Sequence, residues 1–245
     1  MAKQKLKRFA EFAQYGHTYD FPYHLKGNWH KEVFKNNNPI VLELGCGKGE
    51  YTVELAKQFP NKNFIGIDIK SNRMWVGANK ALDENLTNVI FMRALMHRIN
   101  ELFEKNEIEE IWITFPDPFI RIRSAKHRLT HPRFLVLYQQ ILKPQGCINF
   151  KTDSDELFAF TLNMLQKIEI KPNLVLNNVH QNQDADWWLK DIRTYYENLF
   201  MAKGKTIKFT QFCIDELNQD RIAKFNNWFE AERLKLMAAG KSTGI

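Results

Sequence analysis

Apolar runs of four to six residues, bounded by polar or turn-forming positions, recur along much of the chain. Ile40 to Leu44, Asn63 to Asp68, Asn88 to Met92, Ile111 to Phe115 and Cys147 to Phe150 read as strands. Unbroken runs of this length suit a parallel sheet covered on both faces. Between them the spacing turns helical. Tyr51, Leu55 and Phe59 mark one buried face, and Met74, Ala78 and Leu82, following Ser71, mark a second. His131 opens a third helix through Leu135 and Leu142 that ends at Lys143-Pro144-Gln145-Gly146. Beyond Leu165 the periods weaken, but Leu174 to Val179 and Thr206 to Ile214 alternate well enough to form an antiparallel edge around a helix from Ile192 to Lys203. Trp187-Trp188 reads as a packing pair. Ile222, Phe225, Trp228, Phe229 and Leu236 recur at helical spacing, so an amphipathic helix, a core cap or partner surface, closes the chain. The residues up to Asn38 show no strong period, and Asn36-Asn37-Asn38-Pro39 interrupts any helix before it. Strands and helices in alternation predict an α/β fold with a mostly parallel seven-stranded sheet, an antiparallel edge and helices on both faces. Three segments are expected: a basic N-terminal arm at 1–38, a central domain at 39–214 and a helical extension at 215–245.

The first strand ends in a carboxylate, Glu43, and runs into Gly45, Gly47 and Gly49 before a helix opens at Glu50. Glycine tolerates positive φ and lets the backbone approach a ligand, while the helix N-terminus offers unpaired N–H groups to an anion. This is a nucleotide-type pocket. The dinucleotide fingerprint needs G-x-G-x-x-G; here the turn reads G-x-G-x-G, and Glu50 stands where the last glycine belongs. A second acid, Asp68, ends the next apolar run. The arrangement resembles the Rossmann-like fold of class I S-adenosylmethionine (SAM) methyltransferases. Asp68 can accept the ribose hydroxyls, Glu43 can hold the amino group of the methionine part, and the helix N-terminus suits its carboxylate.

The fourth strand runs into Pro116-Asp117-Pro118-Phe119. Open parallel sheets bind ligands outside the C-terminal ends of their strands, so Asp117 is expected at the mouth of the same pocket, its backbone fixed by two prolines. The fifth strand ends in Lys151-Thr152-Asp153, with Asp153, Asp155 and Glu156 on the first turn of the next helix, Asp153 capping it or facing the cleft. The helix start accounts for these acids, and His127 with His131, adjoined by Pro132, has no third ligand evident, so no metal is expected.

Charge adds a partner. Lys3, Lys5, Lys7, Arg8, Lys26, Lys31 and Lys35 outnumber Glu11, Asp20 and Glu32 in the arm, and Arg121, Arg123, Lys126, Arg128, Arg133 and Lys143 follow Phe119 with no acid among them. The two segments together exceed the net charge of +7 for the whole chain. Acid-poor segments flanking a cofactor pocket point to a polyanion held through its phosphates. The 245 residues suffice for one α/β domain with additions, no stretch approaches a membrane span, and Met1-Ala2-Lys3 leads into a basic segment, so a soluble cytoplasmic protein is expected. Cys46, Cys147 and Cys213 are distant in sequence and odd in number, and read as small buried hydrophobes rather than a disulfide or zinc framework.

Leu42-Glu43-Leu44-Gly45-Cys46-Gly47-Lys48-Gly49-Glu50, Phe115-Pro116-Asp117-Pro118-Phe119, Lys126-His127-Arg128-Leu129, Phe150-Lys151-Thr152-Asp153 and Thr194-Tyr195-Tyr196-Glu197 resemble, in order and spacing, the bacterial tRNA (guanine-N7)-methyltransferases. The resemblance implies methylation of a guanine in the tRNA variable loop. It implies Glu43, Gly45, Gly47, Gly49, Asp68, Leu95 and Asp117 around SAM, with Asp117 catalytic. It also implies Arg121, Asp153, Thr194, Tyr195, Tyr196 and Glu197 at the tRNA. Three features depart from the family. Leu95 replaces an acid, so any adenine contact there comes from the backbone. Phe119 and Arg121 replace a tryptophan and a lysine in a basic run thinned by Ile120, Ile122, Ser124 and Ala125. Asp215 to Ile245 extends past the usual end.

The chemistry is consistent with these residues. Guanine N7 carries an unprotonated lone pair on the groove edge and needs no general base. Alignment is then the task, and a carboxylate such as Asp117 or Asp153 can hold the guanine N1–H and amino group and offset the charge that develops on the ring. Two alternatives remain open at this point. Exocyclic-amine methyltransferases carry an acid or amide followed by two prolines and an aromatic, whereas here the acid sits between the prolines. An RNA-binding protein without catalysis need not keep Glu43, Asp68 and Asp117.

Overall fold

The buried runs assemble into one eight-stranded sheet in the computed structural model, which describes residues 2–183 and 185–243. Met1 and residues 244–245, the outermost parts of the two flanking segments, lie outside the described residues. In chain order the elements are α1 (Ala2–Phe12), β1 (Thr18–Asp20), β2 (Ile40–Leu44), α2 (Glu50–Gln58), β3 (Asn63–Asp68), α3 (Ser71–Asp83), β4 (Val89–Arg93), β5 (Ile108–Thr114), α4 (Pro132–Gln139), β6 (Leu142–Thr152), α5 (Asp155–Lys167), β7 (Leu174–Leu176), α6 (Trp187–Asp191), α7 (Tyr195–Ala202), β8 (Lys208–Cys213) and α8 (Gln219–Ala238). The strand order is β1-β4-β3-β2-β5-β6-β8-β7, parallel from β1 to β6, with β8 antiparallel to both β6 and β7.

All five residues of β2 are buried. Ile40, Leu42 and Leu44 point into one core with Leu135, Phe160 and Phe225, while Val41 points into the other with Tyr51, Ala78 and Trp112. The alternation of a strand thus feeds two layers of helices, as both-face burial requires.

The extra strand corrects the expected count of seven. β1 joins the sheet edge through Thr18↔Phe91, Tyr19↔Met92 and Asp20↔Arg93. Three residues among scattered aromatics are too few to show a period of two. The N-terminal segment is accordingly folded onto the domain: Trp29 is fully buried and its Nε1 donates to the Leu102 carbonyl at 2.9 Å. The expected helix from His131 to Leu142 stops at Gln139, because Leu142 already pairs with Ile108 and begins β6. The register then jumps from Ile108↔Leu142 to Glu110↔Cys147, so Lys143-Pro144-Gln145-Gly146 loops out as a bulge. Of the tryptophan pair, Trp188 packs edge-on to Trp112 and Phe59, and Trp187 stays exposed. The cysteines also differ from expectation. Cys46 is buried, but β6 and β8 place Cys147 directly opposite Cys213.

One packing detail sets the glycine turn. The Phe91 ring occupies a slot left by Gly49, Gly66 and Gly77, three positions that have no Cβ to displace it. A Cβ on Gly77 would stand 2.7 Å from the Lys48 carbonyl oxygen and 2.9 Å from the Gly49 Cα, both backbone atoms of the turn. Gly77→Ala gains helix propensity of about 1 kcal/mol. Because a backbone contact cannot swing aside, the expected net outcome is a loss of about 1–2 kcal/mol in a urea unfolding titration. Unchanged or increased stability would show that the turn is not held by this contact.

Candidate active site

Strand order decides where the site lies. β2 has β3 on one side and β5 on the other, and from this centre the chain builds outward in opposite directions. The loops leaving the C-terminal ends of β2 and β5 therefore diverge and open a crevice, the position where open α/β sheets bind ligands. The glycine turn follows β2 and the Phe115-to-Phe119 loop follows β5. Asp68 ends β3, and Leu95 follows β4 with extended backbone. Asp153 lies two residues beyond Lys151, which pairs with Thr114 near the end of β5. All these residues leave the same sheet edge.

Gly45, Gly47 and Gly49 have φ of +73°, +58° and +72°, which side-chain-bearing residues rarely adopt. The Gly45 and Cys46 amides both donate to the Ile67 carbonyl, at 2.8 and 3.0 Å, and the Gly49 amide donates to the Cys46 carbonyl at 2.8 Å. Asp68 ties the turn to the next strand: its Oδ2 accepts from the Gly47 N–H at 3.0 Å and its Oδ1 from the Lys70 N–H at 2.9 Å. Nothing lies within 4 Å of where a Cβ on Gly47 would stand. This open backbone beside a carboxylate suits the hydroxyl groups of a nucleoside such as that of SAM.

Glu43 lies deeper, 3% exposed, its carboxylate accepting from the hydroxyls of Thr52 and Thr114. Burial pushes this carboxyl up to about 7 against the lowering effect of the two hydroxyls, and the nearby Asp68 charge adds to the rise.

The loop after β5 is held from below. Phe115 and Phe119 both have positive φ, 47° and 42°, conformations strained for aromatic residues that persist only when their surroundings impose them. Arg128, 1% exposed, supplies that constraint, donating from Nε to the Pro118 carbonyl at 3.2 Å and from Nη2 to the Phe119 carbonyl at 3.1 Å, with its guanidinium 4.3 Å from the centre of the Phe160 ring. Burial lowers Arg128 to about 10, so it remains charged at neutral pH. Arg128 is thus a buried clamp, not part of the exposed basic face expected from sequence. Asp117 projects from the clamped loop into solvent. Arg121 and Arg123 are exposed, and the Ile122 N–H donates to the Ser242 carbonyl at 3.0 Å, so the end of the C-terminal extension lies along the basic loop.

The Thr194-to-Glu197 stretch divides in two. Thr194 caps α7 by accepting from the Glu197 N–H at 3.1 Å, and Tyr195 and Tyr196 are exposed. Tyr195 also closes over the glycine turn: its N–H donates to Glu50 Oε2 at 2.9 Å, and Lys48 Nζ sits 4.3 Å from its ring centre. Glu197 is fully buried, its carboxylate 2.9 Å from both Lys151 Nζ and His180 Nε2. Its side chain faces the interior, unlike the surface position expected of a tRNA contact. Lys151 Nζ also donates to the Leu189 carbonyl at 2.9 Å and the Ile192 carbonyl at 3.3 Å. Burial lowers Lys151 and the Glu197 charge partly offsets this. This group binds the segment carrying α6 and α7 to β6. Asp153 does not cap α5; Ser154 does, accepting from the Leu157 N–H, while Asp153 pairs with Lys205 Nζ at 2.7 Å. Thr52 and Thr114 carry no signal in the sequence, and Lys151 appears there only as part of a motif, although Asn149 and Lys151 as alternate polar residues in an apolar strand point to buried partners. Among the described residues no group of three or more His, Cys, Asp or Glu is placed to hold a metal ion, and no helix is long and apolar enough to cross a membrane.

Residues 37–210 match the family described as putative methyltransferase. The fold is shared with the 16S rRNA methyltransferase KamB, at a TM-score of 0.56 and 13% identity over 74% of this chain and 90% of that one, and with an antibiotic-related methyltransferase, at 0.53 and 19% over 74% and 89%. The architecture is that of a class I methyltransferase. At the level of sequence the chain is 44% identical over 221 residues to the tRNA (guanine-N(7)-)-methyltransferase of Christiangramia forsetii, covering 87% of this chain and 99% of the relative. It is 41% identical over 224 residues to that of Bacteroides fragilis, covering 88% of each. The chain belongs to the tRNA (guanine-N7)-methyltransferase family.

The raised Glu43 carboxyl has a measurable consequence. Between its ordinary value of 4.5 and about 7 the folded protein binds a proton that the unfolded chain releases, so this group lowers stability as pH rises through that window and adds no further slope above it. The loss is on the order of 3 kcal/mol. Glu43→Gln is expected to remove that part of the decline in urea titrations from pH 5 to 8; an identical slope in both proteins would contradict the assignment.

Proposed function

We propose that the protein transfers a methyl group from SAM to N7 of a guanine in the variable loop of tRNA, at the crevice between the glycine turn and the Phe115-to-Phe119 loop. The observation that carries this reading is the exposed Asp117 on a strained, clamped loop, across the strand-order reversal from an open glycine cradle. The names and identities of the relatives support the substrate and the acceptor atom.

When bound, SAM supplies an electrophilic methyl group on a sulfonium. Gly45, Gly47 and Gly49 would border it, Asp68 would receive its ribose hydroxyls, and Leu95 would meet the adenine through its backbone. Glu43 would serve the amino group from below, whose positive charge would favour the ionised carboxylate that burial disfavours. Asp117 stands at the boundary of cofactor and base. N7 needs no proton removed, so the task of Asp117 and Asp153 is to accept from the guanine N1–H and amino group and offset the positive charge arriving on the ring. Freeing Asp153 for this requires Lys205 to turn toward a tRNA phosphate, which a polyanion would favour. Arg121, with Arg123 and Lys126 beside it, would hold phosphates. The exposed rings of Tyr195 and Tyr196 offer a stacking face for an unpaired base. Thr194 and Glu197 act beneath them by fixing α7. We assign the reaction no metal, since the N7 lone pair is itself the nucleophile. We place the protein in the cytoplasm with its substrate, with the arm at 1–38 and the extension at 215–245 flanking the catalytic domain at 39–214.

The test is methyl transfer from labelled SAM to unmodified tRNA transcripts with guanine or 7-deazaguanine at the variable-loop site. The expected result is transfer to guanine and none to the deaza analogue. Equal transfer to both would identify an exocyclic amine as the acceptor and overturn the N7 assignment.

A further inference from the structure

Cys147 and Cys213 stand directly opposite each other on antiparallel neighbours, β6 and β8. Opposed residues in such a ladder have Cα atoms about 4.5–5.5 Å apart, inside the span a disulfide requires. The two Sγ atoms lie 2.9 Å apart, and both residues are half-buried, so small thiol reagents can reach them. Their surroundings are polar. Asn173 Nδ2 points at Cys213 Sγ at 3.4 Å and at Cys147 Sγ at 3.8 Å, and the Gln145 carbonyl faces both sulfurs, accepting from Cys147 Sγ at 3.5 Å and from Cys213 Sγ at 3.6 Å. The backbone of the bulge is in turn fixed by the Gln145 N–H donating to Asp215 Oδ1 at 2.8 Å.

We propose that Cys147 and Cys213 are a reversible dithiol–disulfide staple that takes small-molecule disulfides as its oxidant. Asn173 Nδ2 lies nearer Cys213 than Cys147, and Cys213 is taken as the attacking sulfur. Burial and the neighbouring sulfur push the Cys147 thiol up to about 12, which keeps its proton until closure. In the first step the Cys213 thiolate attacks one sulfur of the small disulfide, forming a mixed disulfide and expelling one thiolate. In the second, Cys147 gives its proton to that expelled thiolate, attacks the Cys213 sulfur and expels the other half. The protein loses two electrons and two protons, and the small disulfide becomes two thiols. Cys147 lies just after the bulge in β6, roughly 20 Å of strand from Asp153. It closes a loop spanning residues 147–213, which contains α5, α6 and α7 and hence the segment lining one side of the crevice. Tying this loop restricts the unfolded chain, and half-exposed bridges of this kind are the labile, reversible ones.

The full-length protein is equilibrated with reduced or oxidised glutathione, then denatured, alkylated with iodoacetamide and weighed. The expected result is three alkylated cysteines in the reduced protein and one, Cys46, in the oxidised protein, with a Cys147–Cys213 linked peptide that dithiothreitol removes. The oxidised protein is expected to melt higher by about 5 °C or more, a difference absent from the Cys147→Ser/Cys213→Ser double variant. Three alkylated cysteines after oxidation, glutathione retained on Cys213 without closure, or a link through Cys46 or between two chains would each overturn the proposal.

Discussion

The parallel pairing of β2 with β5 sets the geometry of everything built around it. These two strands are adjacent in space but separated in sequence by two helices and two strands, and their register, Leu42↔Ile111 and Glu43↔Trp112, fixes the relative height of the loops that follow them. The chain reaches β3, β4 and β1 on one side and β6, β8 and β7 on the other. The glycine turn and the Asp117 loop therefore part from a common edge, and the crevice between them is a consequence of strand order rather than of any single side chain. Glu43 lies at the seam itself, bonded to Thr52 of α2 and Thr114 of β5, so a buried carboxylate of the site also joins its two halves.

Around this seam, charge is buried where it restrains a loop and exposed where it can meet a ligand. Arg128 gives its guanidinium to backbone carbonyls of the Asp117 loop, and Lys151 gives its ammonium to Glu197 and to carbonyls beside α6. Both are cations whose burial is tolerated because each has several acceptors. Asp117, Arg121 and Arg123 remain at the surface. Under the proposed function this division supplies preorganisation: the strained turns at Phe115 and Phe119 aim a carboxylate that has no other structural duty, so its electrostatic effect need not be assembled during the reaction.

Much of this was legible in the sequence, for reasons that can be given residue by residue. Strands covered on both faces, β2 to β6, announce themselves as unbroken apolar runs; the turn chemistry of Gly45, Gly47 and Gly49 and the rigid Pro116-Asp117-Pro118 are local and therefore readable. β1 was not, because three residues pair only through the distant β4. The end of α4 is not legible, because Leu142 suits a helix face as well as a strand, and only its pairing with Ile108 decides between them. Arg128 and Glu197 look like surface residues of a nucleic-acid site in any linear reading. Their burial follows from partners far along the chain, and so does the meeting of Cys147 with Cys213.

The central claim is that Asp117, held by the clamped loop, acts at the moment of transfer rather than in holding the fold or the cofactor. The direct measurement is single-turnover methyl transfer by Asp117→Ala beside calorimetric titration of the same variant with S-adenosylhomocysteine. A loss of transfer of at least about a hundredfold, roughly 2.7 kcal/mol in the barrier, with unfolding unchanged and cofactor affinity reduced far less, is the result this account requires. Near-normal turnover, or a loss of transfer matched by an equal loss of cofactor binding, would contradict it.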